Sequence, residues 1–138
     1  MRRQGPVVYP DANVLIAFSE RDEGVLRVFG WLMKSQASFV TSNLLELETV
    51  PSTVYVGKRE AHDPLLSFFG QWRPRLASAS TVQIAAAECS KLPLGSMDVL
   101  HLAAAHQAGV TMFLTMEKVT KPTHRCRLVP GVHFDRVA

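Results

Sequence analysis

A chain of 138 residues is about the size of one domain, and one this long buries roughly two thirds of its unfolded surface, so its core needs no disulfide or structural metal. Apolar residues make up 47% and the net charge is +3, a mildly basic balance that allows an acidic partner such as nucleic acid without demanding one. Cys89 and Cys126 form no Cys-x-x-Cys pair and have no paired histidines nearby, which argues against zinc and fits a reducing cytosol.

No stretch approaches the ~20 apolar residues of a membrane span, and the charged start Met1 to Pro6 leads into no signal-peptide run. The expectation is a cytoplasmic protein of one folded domain, residues 1–138, with no membrane association.

The first apolar run, Val7-Val8-Tyr9, stops at Pro10-Asp11 and reads as a buried strand. A short helix over residues 13–18 follows. Asp22 caps a second, running to about residue 35, with Val25, Val28, Phe29 and Leu32 in helical period. Residues 38–41 read as a strand, and Ser42 as the cap of a third helix that Pro51 closes. A fourth helix spans about 58–72, and residues 76–78 read as a short strand. Residues 81–91 are helical, with Val82, Ile84, Ala85 and Ala86 apolar. After the turn at Pro93-Leu94-Gly95, Ser96 caps the most apolar helix, residues 97–108, which Gly109 ends. Residues 112–115 form a strand and residues 127–129 a last one. Strands alternating with helices imply an α/β fold, a three-layer α/β/α arrangement on a mostly parallel sheet of four or five strands.

Four carboxylates stand at the margins of these apolar segments: Asp11, Glu48, Asp98 and Glu117. A buried ionised carboxylate is costly unless something positive compensates it. Four of them from four distant segments suggest one acidic site neutralised by a hard divalent cation, hence a metal-dependent hydrolase. Taken singly, each has a plainer reading. Asp11 serves equally well as the cap of the helix that follows it. Asp98 suits the positive end of its helix, at a mouth expected to be buried. Glu117 is an ordinary loop residue but for the strong strand before it, beyond whose carboxyl end a site is expected.

Glu46 and Glu48 separate by helical phase. At ~100° per residue, Leu44, Leu45 and Leu47 define an apolar arc that contains Glu48, while Glu46 points to solvent. His101, three residues after Asp98, reads as a structural hydrogen-bonder rather than a metal ligand.

These segments carry a family resemblance. Tyr9-Pro10-Asp11-Ala12-Asn13-Val14-Leu15-Ile16 resembles the opening of PIN domains, a strand followed by Asp-Thr/Ser-Asn-Val-Leu-Ile. Ser42 through Glu48 resembles their helix carrying a second acid six residues after a serine. Asp98-Val99-Leu100-His101-Leu102-Ala103-Ala104-Ala105 resembles their Asp-Ala-Leu-His-Leu-Ala-Ala-Ala segment, and Phe113-Leu114-Thr115-Met116-Glu117-Lys118 their strand ending in Thr-Thr-Asp/Glu. The match spans nearly the whole chain in the right order.

The resemblance implies that Asp11, Glu48, Asp98 and Glu117 are the catalytic and metal-binding quartet of a Mg²⁺- or Mn²⁺-dependent ribonuclease, as in VapC-like toxins, with a cognate antitoxin and a homodimeric state to match. Ala12 and Met116 depart from the family pattern, standing where hydroxyls that support the metal site are common.

RNA is expected to be held by a positive rim: Lys118, Lys121, Arg125 and Arg127, with His124 among them and Lys58 and Arg59 as a smaller pair. Asn13 and Thr115, inside the matching segments, join the substrate-binding set. Two other readings compete. A non-catalytic PIN-fold module binding RNA or protein would keep the fold without hydrolysis. A phosphatase of another α/β family is disfavoured, because no Asp-x-Asp follows the first strand and no Gly-rich phosphate loop is present.

Overall fold

The sheet is centred on two strands with almost no exposed residue. In the computed structural model, which describes residues 5–137, β1 (Val7–Pro10) and β3 (Met112–Thr115) are each buried at three of four positions. Such continuous apolar runs suit strands covered on both faces. The charged start of the chain, Met1 to Gln4, lies outside the described residues.

β2 (Ser38–Phe39) and β4 (Gly131–His133) pair at the two edges, giving a four-stranded, wholly parallel sheet in the order β2-β1-β3-β4. Six α-helices flank it in a three-layer α/β/α arrangement: α1 (Ala12–Ser19), α2 (Glu23–Lys34), α3 (Asn43–Tyr55), α4 (Arg59–Gln71), α5 (Ala79–Cys89) and α6 (Ser96–Gln107).

From β1 the chain winds to β2 on one side, then returns to lay β3 and β4 on the other. The winding therefore reverses between β1 and β3, the point at which folds of this kind form a ligand-binding crevice beyond the carboxyl ends of the strands. Asp11 follows β1 and Glu117 follows β3, so both stand at that crevice.

One wall of the core is aromatic. Phe29 stacks on Phe18 and Phe39 at centroid distances of 4.6 and 5.1 Å, and Phe68 and Trp72 close the cluster edge-on to Phe39. Elsewhere α5 meets α6 through Ala85, Val99 and Ala103, small side chains that let the two helices approach closely.

Several sequence expectations change at element ends. Pro51 does not close α3 but sits inside it. A proline removes one backbone bond to the carbonyl four residues back. Here that carbonyl belongs to Leu47, whose residue is 65% exposed, so water can satisfy it and the helix continues.

The strand expected at residues 76–78 does not form. Arg75 makes an isolated parallel bridge to Ser42, and the Asn43 side chain accepts from Ala77 N at 2.9 Å. The last strand lies at Gly131–His133 rather than residues 127–129. α5 begins two residues early, because Ser78 and Thr81 close a capping box. α6 is capped by Gly95 rather than Ser96. No helix among the described residues is long and apolar enough to cross a membrane.

Candidate active site

Asp11 leaves β1 with its backbone N–H still bonded to Leu114 O at 2.8 Å, as if the strand went on. Its carbonyl already accepts from Val14 and Leu15, so the same residue opens α1. The plain reading and the functional one are therefore both available to it. The side chain is buried: Oδ1 accepts from Ala12 N at 2.9 Å and Oδ2 from the Thr115 hydroxyl at 3.1 Å. Burial pushes the Asp11 carboxyl above the ordinary aspartate value, and the nearby Asp98 charge adds to this; the two hydrogen bonds, and His101 whenever its ring is protonated, pull it back down.

Asp98 lies in the first turn of α6 and is exposed, contrary to the buried mouth expected from the apolar helix. The buried face of α6 begins one residue later, at Val99. A Cβ on Gly95 would stand 3.3 Å from Asp98 Oδ2, so the glycine leaves the carboxylate room to fold back over the helix start. Although solvent reaches Asp98, the protein around its carboxyl raises its pKa, and so do Glu117 and Glu48, with His101 opposing only when its ring is protonated. Asp98 thus feels charges from α3 and from the loop after β3, and it is itself felt by Asp11. Asp11, Glu48 and Glu117, each from a different segment, thus lie within electrostatic reach of Asp98.

Glu48 enters by a different route from the one its sequence suggested. The buried stripe of α3 is Leu45, Thr49 and Thr53, while Leu47 faces solvent. The threonines can be buried because their hydroxyls donate to backbone carbonyls of the same helix, Thr49 to Leu45 O at 2.8 Å and Thr53 to Val50 O at 2.7 Å. The leucine arc was therefore the wrong guide to phase. Glu48 flanks the true stripe, half-buried, with Oε2 3.2 Å from His101 Nε2.

Glu117 is partly buried in a loop pinned at three atoms. Asn13 Oδ1 accepts from Met116 N at 3.3 Å, Thr115 Oγ1 from Glu117 N at 3.0 Å, and Glu117 O pairs with His124 Nε2 at 2.8 Å. Thr115, expected to touch substrate, thus has other work, and Asn13 spends its side-chain oxygen on the same loop. Thr115 has no exposed surface at all, and its one hydroxyl links Asp11 to the Glu117 backbone.

Lys118, Lys121, Arg125 and Arg127 are exposed on the segment that follows. Arg125 is tied to Thr120 O at 3.1 Å. Among the described residues, none of the four lies within salt-bridge distance of a carboxylate.

The sequence reading missed a buried polar chain beneath the acids. The Tyr9 hydroxyl is 2.7 Å from both Ser42 Oγ and His101 Nδ1, and Ser42 Oγ also caps α3 by accepting from Leu45 N. Tyr9 and His101 are fully buried, and burial raises the Tyr9 pKa further above its ordinary range. The sequence offered its members separately, His101 as a structural hydrogen-bonder and Ser42 as a helix cap; what went unread was Tyr9, a tyrosine where a buried strand would otherwise carry an aliphatic residue.

As for what the site can hold, among the described residues no three His, Cys, Asp or Glu side chains close around a single point. Yet the donors facing the crevice are carboxylates. Two of them carry raised pKa values because burial and neighbouring negative charge go uncompensated. That all-oxygen, electron-rich set fits a hard divalent cation.

Comparison with known proteins agrees with this fold. The family model described as PIN domain matches residues 8–120. No curated protein matches the sequence. Among solved structures, VapBC2 from Rickettsia felis, bound to a DNA fragment from its promoter, superposes with a TM-score of 0.70 at 15% identity, covering 92% of this chain and 98% of that one. A toxin-antitoxin complex from Klebsiella pneumoniae gives 0.69 at 16%, covering 88% and 94%. FitAcB from Neisseria gonorrhoeae gives 0.67 at 15%, covering 94% and 99%. At such identities the likeness is one of fold.

Proposed function

The chain belongs to the PIN domain family, and from that premise we propose that it is a metal-dependent endoribonuclease hydrolysing RNA phosphodiester bonds at the acidic crevice between β1 and β3. The observation that carries the reading is the gathering of acids from separate segments: one Thr115 hydroxyl links the Asp11 carboxylate to the Glu117 backbone, and Asp98, raised by Glu117 and Glu48, adds to the rise at Asp11. A structural role for each acid alone gives no reason for Asp98 to feel the other three.

Asp11 and Asp98 would be the main residues holding Mg²⁺ or Mn²⁺, with Glu48 and Glu117 joining them directly or through water. The bound cation supplies Lewis acidity: it lowers the pKa of a water, neutralises the phosphate and stabilises the leaving oxygen. Thr115 holds the Asp11 carboxylate in place and Asn13 and Thr115 fix the loop that carries Glu117. Lys118, Lys121, Arg125 and Arg127 offset the negative pocket and draw the RNA backbone toward it.

The likeness to a toxin-antitoxin complex supports a toxin with a cognate antitoxin as its protein partner. A homodimer and a cytoplasmic setting belong to the same reading, and residues 1–138 act as one domain in it. The test is cleavage of single-stranded RNA. It should require Mg²⁺ or Mn²⁺, stop with EDTA, and largely disappear in Asp11→Asn and Asp98→Asn. Binding of RNA without metal-dependent cleavage would favour the non-catalytic module instead.

A further inference from the structure

We propose that His101 is a positioning residue for Glu48: its Nε2–H aims the Glu48 carboxylate at the metal site, and Tyr9 and Ser42 lock the ring in the orientation that does so. The inference rests on the metal-dependent reading above for its consequence, but its geometry stands apart from it.

A carboxylate accepts hydrogen bonds and does not donate them. The 3.2 Å contact between His101 Nε2 and Glu48 Oε2 therefore requires the proton on Nε2. Nδ1 is then free to accept from the Tyr9 hydroxyl at 2.7 Å, and Tyr9 oxygen accepts in turn from Ser42 at 2.7 Å. Ser42 Oγ receives the Leu45 N–H at 3.2 Å. All donors thus run one way, from the start of α3, through β1 and α6, back to Glu48 on α3.

The chain is rigid for physical reasons. Tyr9 and His101 are fully buried and Ser42 nearly so. The Tyr9 ring is stacked on Phe113 at 5.5 Å. No buried side-chain polar atom among the described residues lacks a partner, so no member can turn without leaving one unsatisfied. Glu48, by contrast, keeps 31% of its side-chain surface exposed and has a long, rotatable stem. Freed of His101 it would spread over several rotamers, and a metal ligand must be held in one.

The experiment is Mn²⁺ binding to metal-free protein, measured by calorimetry without RNA. Thermal unfolding confirms that each variant is folded. His101→Leu should weaken Mn²⁺ affinity about tenfold, the low end of what removing such a support costs, and His101→Gln, which keeps a donor toward Glu48, should restore most of it. In a Glu48→Gln background, the further substitution His101→Leu should cost less than about twofold, because the two residues act as one unit. An equal loss in both backgrounds, or no loss in either, overturns the proposal. If His101→Leu fails to fold, Tyr9→Phe takes its place in the same cycle.

Should the parent bind no Mn²⁺ at all, the nuclease reading fails. The positioning claim is then decided separately, by ¹⁵N NMR of the histidines in metal-free protein. A proton on Nε2 of His101, with a resonance that moves in Glu48→Gln, is the expected result. A bare Nε2 overturns it.

Discussion

Thr115→Val isolates the smallest part of the site on which two acids depend. The swap exchanges a hydroxyl for a methyl at a position with no exposure, so packing is nearly unchanged while two hydrogen bonds disappear. One reaches the Asp11 carboxylate; a bond to a charged partner is worth about 1.5–3 kcal/mol, and the ordinary one from Glu117 N adds about 1 kcal/mol. Removing a buried hydroxyl returns about 1 kcal/mol of desolvation. The net cost is about 1.5–3 kcal/mol at neutral pH, or a melting temperature lower by about 8 °C for a chain of this size.

The cost should depend on pH. The Thr115 bond holds the Asp11 pKa down against burial, so the variant's Asp11 is raised further above the ordinary value of 3.8. A group with a raised folded pKa contributes stability below its unfolded pKa and loses it as pH rises through the folded one. The deficit of the variant is therefore full at neutral pH and shrinks on acidification toward the ordinary aspartate value, where a protonated Asp11 no longer needs the donor. Urea unfolding of the metal-free parent and variant at both pH values measures it. An equal deficit at both, or one under about 0.5 kcal/mol at neutral pH, would refute the claim that Thr115 acts through Asp11.

The metal-free parent should itself gain stability on mild acidification, since Asp11 and Asp98 both have raised pKa values; the window lies above the ordinary 3.8, and saturating Mn²⁺ should reverse the trend because binding needs the carboxylates ionised. A urea midpoint that falls with acid in the absence of metal would contradict this. Glu48→Gln should weaken Mn²⁺ binding while Glu46→Gln leaves it unchanged, as calorimetry can read; the opposite ranking would assign the α3 acid to Glu46. Replacing Lys121 and Arg125 together by alanine should lower RNA affinity and flatten its dependence on salt, by about one ion for each phosphate no longer neutralised, with Mn²⁺ affinity intact. If affinity and slope match the parent, the RNA path lies elsewhere, as along Lys58 and Arg59.

The sequence determined what short-range physics determines. Apolar runs around Val8 and Phe113 made two buried strands, alternation with helices made a parallel sheet, and the places of Asp11 and Glu117 after strands set them at its working edge. Such features depend on residues close in the chain. Whatever depends on which side chain lies opposite was decided by tertiary structure. The α3 phase could not be read from its leucines, because its buried face is lined by threonines satisfied within the helix and the side bearing Leu47 is left to solvent. Pro51 could not be judged a helix stop without knowing that Leu47, the residue whose carbonyl it leaves without a helical donor, faces solvent. Asp98 looked buried because its helix is apolar, yet burial begins only at Val99. And the chain from Ser42 through Tyr9 to His101 and Glu48 joins residues 33 and 92 positions apart at its first two links. Hydrogen bonds of that range leave no periodicity in a sequence, since their geometry exists only once β1, α3 and α6 are packed together.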